Sequence, residues 1–193
     1  MEAIETIKLG NHTIYVHIDE NPPNPRTEWD NLGTMVCFHN RYTLGDKDHG
    51  YNSNDFANWD ELQAAIKKDN DVAAILPIYM YDHSGLTINT TGFSCPWDSG
   101  QIGFIYITKE QVRKEFSAKR VSGKLSKKMR EYLKGEVESY DKYLRGEYYG
   151  FIIENDNGDV VDSCWGFDDK DYMIMEAKGY IPCDGCSKSV VPS

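Results

Sequence analysis

Asp82 and His83 follow an almost unbroken apolar and aromatic run, Val72 to Tyr81, and Cys95 and Asp98 lie shortly before a second run, Ile102 to Ile107. Thiol, imidazole and carboxylate are the parts of a nucleophilic relay, in which histidine takes the thiol proton and a carboxylate orients the ring. Cys95 is followed by Pro96 and then by a strand, so the sequence offers the thiol no helix N-terminus to activate it. A cysteine and a histidine satisfied by packing and hydrogen bonds are the plainer reading. Asp82, His83 and Asp98 could instead hold a divalent ion for hydrolysis, although nothing in their spacing requires one. The catalytic candidates are therefore Asp82, His83, Cys95 and Asp98, with no committed catalytic set.

A zinc site needs two converging ligand pairs. Cys183 and Cys186 form one CxxC, and Cys37 and His39 stand two apart on a strand, but neither has a matching pair. No metal and no cofactor is expected. The glycine-rich dinucleotide and phosphate-loop signatures are absent, as are HExxH and GxSxG.

At 193 residues, with 40% hydrophobic and 12% aromatic residues, the chain is long enough for a real core. The expectation is a single α+β domain over residues 1–180 and a loosely held tail over 181–193. No window approaches a membrane-spanning run, and the first residues, MEAIETIKLG, lack the order of a signal peptide. The five cysteines are odd in number and mostly set in apolar runs, which argues against a disulfide framework.

The net charge of −10 is unevenly spread: residues 1–60 hold 4 basic and 10 acidic side chains, and residues 109–146 hold 12 and 6. Acidic character overall disfavours direct nucleic-acid binding and suits a basic partner. The most basic part, KRVSGKLSKKMR, has no interleaved aromatics, so stacking on single strands is not indicated.

Several elements must position these groups. Ile4 to Leu9 and Thr13 to Ile18 read as a hairpin around Gly10-Asn11, and YYGFIIE and VVDSCWGF as a second around Asn157-Gly158. Asp19 to Leu32, with Pro22, Pro23 and Pro25, reads as an irregular loop. Trp59 to Lys68 reads as a helix capped by Asn58, and Thr108 with Gln111 makes a capping box for a helix from Lys109. Leu125, Met129, Leu133, Val137, Tyr140 and Leu144 form a helical stripe, and Asp168 or Asp169 starts a last helix. The fold class expected is α+β, with a mixed or mainly antiparallel sheet and three to four helices.

The phrases WDNLGTMVCFHNRYTLGD, ILPIYMYDHSG, TTGFSCPWDSGQIGFIYITKE, YDKYLRGEYYGFIIE and DSCWGF resemble a family of small acidic proteins of bacteriophages and mobile elements of Gram-positive and gut bacteria. The resemblance spans about residues 12–168. That family has no assigned activity, so no catalytic residue is carried over. What the resemblance implies is a protein of the bacterial cytoplasm expressed by a phage, plasmid or prophage. The expectation is an anti-defence protein of the anti-CRISPR or antirestriction kind, which binds a host defence protein or nucleic-acid-binding effector stoichiometrically, with a homodimer possible. Its partner surface would draw on Asp19, Glu20, Glu28, Asp30, Asp46 and Asp48, on Trp97 as an aromatic anchor, and on Lys124, Lys127, Lys128 and Arg130. The alternatives are a small hydrolase or nuclease using the Asp/His/Cys cluster, or a sponge for a nucleotide signal, which needs a deep pocket with basic and aromatic walls.

Overall fold

A computed structural model describes residues 2–181; Cys183, Cys186 and nearly all of the expected tail lie outside the described residues. In chain order the elements are β1 (Glu5–Leu9), β2 (His12–Ile18), α1 (Pro25–Glu28), β3 (Thr34–Cys37), α2 (Trp59–Asp69), β4 (Val72–Asp82) and β5 (Leu86–Asn89). Then follow β6 (Ser99–Thr108), α3 (Lys109–Glu115), α4 (Gly123–Leu144), β7 (Tyr149–Asn155), β8 (Val160–Phe167) and α5 (Lys170–Tyr180). The class is α+β, and every strand pairing is antiparallel. The helix beyond the expected number is α1, in the segment read as irregular. There Asn24 accepts a hydrogen bond from the Arg26 amide, and Pro25 takes the first helical turn, where its missing N–H is not needed.

The chain divides into two compact units, one from its two ends (through Pro23 and from Gly146 onward) and one from Asn24 to Arg145. In the terminal unit the two hairpins join into one sheet of order β1-β2-β7-β8, with Ile14 opposite Ile153 and Val16 opposite Phe151. Gly158 turns the second hairpin at φ +83°, where glycine is strongly favoured. Ile14, Val16, Phe151 and Ile153 all point to one face, where Met173, Ala177 and Ile181 of the α5 segment bury them.

The unit from Asn24 to Arg145 has the order β3-β6-β4-β5. Both faces of β4 and β6 are apolar because both are covered. Ala74, Leu76, Ile78 and Ile105 pack with Met129, Leu133, Val137 and Tyr140 of α4. Ile75, Phe104 and Tyr106 pack with Leu62 and Ile66 of α2. Gly103 lets β3 approach β6: a β-carbon there would lie 1.9 Å from the Val36 carbonyl oxygen.

On its other side β4 pairs with β5 only from Tyr79 to Asp82. Along the remaining edge, the Ser126 hydroxyl donates to the Ala73 carbonyl and Arg130 Nη1 to the Ile75 carbonyl at 3.3 Å. Pro77, two residues beyond Ile75, brings no donor to that edge. Those devices close off a strand edge that would otherwise be open to pairing.

One buried ion network ties the same unit together. Arg26, whose side chain is 1% exposed, reaches Asp46 twice, Glu136 Oε2 at 2.8 Å and the Gly33 carbonyl at 2.8 Å. Glu136 in turn accepts from the Leu32 and Gly33 amides, and Asp46 from the Met35 amide at 2.8 Å. Burial alone would pull the Arg26 pKa down, and the hydrogen bonds and charges of Asp46 and Glu136 more than offset it. Beside this network, burial pushes the Cys37 thiol up to about 12.

Candidate functional site

The central strand β4 delivers Asp82 and His83 to one end of its sheet. Loop residues 90–98 return to that end and lead into β6, because Asn89 ties the loop at its start. Asn89 Oδ1 accepts from the Thr91 amide at 3.0 Å and the Gly92 amide at 2.7 Å, an Asx turn. Phe93 then packs on Tyr81, with ring centroids 5.6 Å apart, and Tyr81 stacks on His83 at 5.9 Å. The far end of the loop is fixed by the Asp82 amide donating to the Asp98 carbonyl at 2.9 Å and by the Ser99 hydroxyl donating to the Cys95 carbonyl. DHSG and CPWDSG thus form one surface.

Three of the four catalytic candidates meet there. His83 Nδ1 lies 3.3 Å from Asp98 Oδ2, and Cys95 Sγ lies 3.9 Å from the same oxygen. Asp82 turns elsewhere: its Oδ2 accepts from Arg41 Nη2 and from the Tyr42 hydroxyl, the latter at 3.2 Å. Thiol activation requires the imidazole beside the sulfur, with the carboxylate behind the imidazole. Here the carboxylate stands between the two, so the order of the relay is wrong. His83 is exposed as well, its side chain 63% accessible, so no dry site surrounds the group. Among the described residues no group of three or more His, Cys, Asp or Glu is placed to hold a metal ion. Asp82, His83 and Asp98 therefore do not form the divalent-ion site that their types allow.

Trp97 is the large apolar side chain that this surface leaves in water. The residue is 92% exposed, although its loop is fixed at both ends. An indole held in water on an ordered loop loses little freedom when a partner covers it.

The remaining partner-surface residues are scattered. Asp19 and Glu20 belong to the terminal unit, the others to the unit from Asn24 to Arg145. Asp46 corrects the expectation most clearly: its carboxylate is taken up inside by Arg26 and the Met35 amide, so it is no free surface charge. Glu28 is exposed, but its carboxylate accepts from the Asn24 amide at 2.8 Å and closes the start of α1. Asp30 and Asp48 are exposed, as are Lys124 and Lys127. Lys128 lies over the Phe116 and Tyr132 rings, 5.0 and 5.4 Å from their centroids, and Arg130 reaches the Ile75 carbonyl.

Three clefts bear on a nucleotide sponge. One, lined by Lys67, Lys68 and Arg130, has no aromatic wall, and the second, lined by Phe38, Phe56 and Trp59, has no basic one. A third, beside DHSG, is lined by Tyr81, His83, Leu86 and Arg145 and sets one ring beside one arginine. The second cleft was not foreseen, and its signal was the clustering of aromatics at 38, 51, 56 and 59 amid asparagines. No helix among the described residues is long and apolar enough to cross a membrane. Comparison with models of protein families, with curated proteins and with solved structures finds no match.

Proposed function

We propose that this chain acts by stoichiometric protein contact, through the surface that DHSG and CPWDSG build around Trp97. The observation that carries the reading is the 92% exposed indole on a loop fixed to the central strand. Tryptophan is the side chain that most often anchors a protein interface, and a preordered loop keeps the entropic cost of binding low. The partner is a host defence effector, in keeping with the resemblance to phage and mobile-element proteins. A net charge of −10 suits an effector whose own surface is basic because it handles nucleic acid.

The test is to express the protein in a bacterial host that carries a defined defence system and to challenge it with phage. Restored plating, with the effector co-purifying, supports the reading. No restored plating across restriction and CRISPR hosts, together with no effector captured, removes it.

A second reading, hydrolysis at His83, Cys95 and Asp98, draws on their convergence on one carboxylate oxygen. The interposed carboxylate and the open surface place it behind contact binding.

A further inference from the structure

Between the segment after β3 and the start of α2 lies a cavity of about 340 Å³ whose walls include Phe38, Phe56 and Trp59. All three rings are half-buried, so each keeps part of its surface free. Their inner parts rest on Leu62, Ile66 and Phe104, which fixes the rings in place.

The lining residues carry no charge, and Arg41, next to Asn40 of the lining, is turned to the Asp82 carboxylate. Residues 48–61, which supply most of the walls, hold Asp48, Asp55, Asp60 and Glu61 and no Lys or Arg. Glu61 is tied to the wall itself: its Oε2 accepts from the Ala57 amide at 2.8 Å. Trp59 opens α2, where the helix dipole is positive, and Asp60 and Glu61 in that first turn counter it. His49 packs edge-on to Phe38, with centroids 5.6 Å apart, and burial lowers its pKa, so it adds little positive charge at neutral pH.

Aromatic faces attract cations through their quadrupoles, and neighbouring carboxylates strengthen the attraction. Anions meet the opposite field. Asn40 also lines the cavity and adds an amide oxygen able to accept from a ligand, whereas the Asn58 oxygen already accepts from the Glu61 amide at 3.0 Å and caps α2.

We propose that the Phe38–Phe56–Trp59 cavity is a binding site for an organic cation, an ammonium or guanidinium group, with Glu61 and its acidic neighbours supplying the countercharge. Such a head group comes either from a free quaternary ammonium compound or from an arginine side chain of a polypeptide. The site stands on observations independent of the Trp97 loop.

The test is nuclear magnetic resonance of the indole N–H signals in the full chain. The four tryptophans give four such signals, and the one missing from Trp59→Phe belongs to Trp59. Choline chloride, N-acetylarginine amide, the neutral choline isostere 3,3-dimethylbutan-1-ol and sodium chloride are titrated in turn at matched ionic strength. The proposal predicts that the Trp59 signal shifts saturably with at least one cation and at least about fivefold more weakly with the neutral isostere. Response to choline points to a free ligand, and response to the arginine derivative alone points to a polypeptide source. Phe56→Ala should weaken binding about fivefold or more with the other indole signals in place. Glu61→Gln, which keeps the bond to Ala57 but not the charge, should weaken it about twofold. No saturable shift with either cation, an equal response to the neutral isostere, or unchanged binding in Phe56→Ala would overturn the proposal.

Discussion

Arg26 grips Asp46 with two parallel hydrogen bonds, Nε to Oδ1 at 2.9 Å and Nη2 to Oδ2 at 2.8 Å, from a side chain that is 1% exposed. The pair joins α1 to the long loop before α2, and Glu136 extends the join to α4. Removing the cation leaves two largely buried carboxylates without their counterion. Arg26→Met should therefore destabilise the unit by about 3–5 kcal/mol. Asp46→Asn, which keeps an acceptor for Arg26, should cost less, about 1–3 kcal/mol. Urea unfolding of both variants checks the order.

Gly103 and Gly150 both lack room for a β-carbon, but for different reasons. At Gly103 the obstacle is the Val36 carbonyl oxygen, 1.9 Å away, in backbone that cannot yield without breaking the β3–β6 pairing. At Gly150 it is the Trp165 ring, 2.2 Å away, on a side chain that is 38% exposed and can give way by leaving its contact with the His17 ring, with no backbone pairing lost. Gly103→Ala should destabilise by about 3 kcal/mol or more, and Gly150→Ala by clearly less. Thermal unfolding of the two variants makes the comparison.

Cys37 and Cys95 should differ in reactivity. Burial that pushes the Cys37 thiol up to about 12 leaves almost no thiolate at pH 8 and also bars the reagent. Cys95 is only half-buried on its loop. Brief iodoacetamide treatment of the native protein at pH 8, followed by peptide mass mapping, should label Cys95 and spare Cys37. Labelling of Cys37 should appear only in denaturant.

His49 contributes a pH dependence whose sign follows from its burial. Its folded pKa lies below the ordinary 6.5, so the unfolded chain takes up the proton first as pH falls. The contribution of the neutral ring is fully present above about pH 6.5 and is lost as pH falls through the lower, folded pKa. Melting temperatures measured between pH 7.5 and 5 should fall more steeply for the native sequence than for His49→Gln.

Much of the fold was legible because its signals are local. The stripe from Leu125 to Leu144 is the buried face of α4, Thr108 and Gln111 form the capping box of α3, and Asn157-Gly158 turns the last hairpin. The two-faced apolar runs at 72–81 and 102–107 are the central strands, as their composition requires. Pairing between distant segments was not legible. Period-two alternation says that β2 and β7 are strands but not that they lie side by side. Arg26 shows the same limit: its partners stand 20 and 110 residues away, and nothing around Pro25 marks an arginine for burial. In the candidate site, residue type and the flanking apolar runs marked Asp82, His83, Cys95 and Asp98 as one group. They could not say that Asp98 rather than His83 would face the sulfur, because that depends on rotamers set by the loop's own hydrogen bonds.

The role of Trp97 is decided by quantitative capture from a lysate of a defence-proficient bacterium, with the native protein and Trp97→Ala as parallel baits. An indole this exposed should leave stability within about 0.5 kcal/mol when removed, so the two baits are equally folded. Contact binding through Trp97 predicts one defence effector held near one-to-one by the native bait and reduced at least about tenfold with Trp97→Ala. Equal capture by both baits, or no effector held by the native protein, would contradict it.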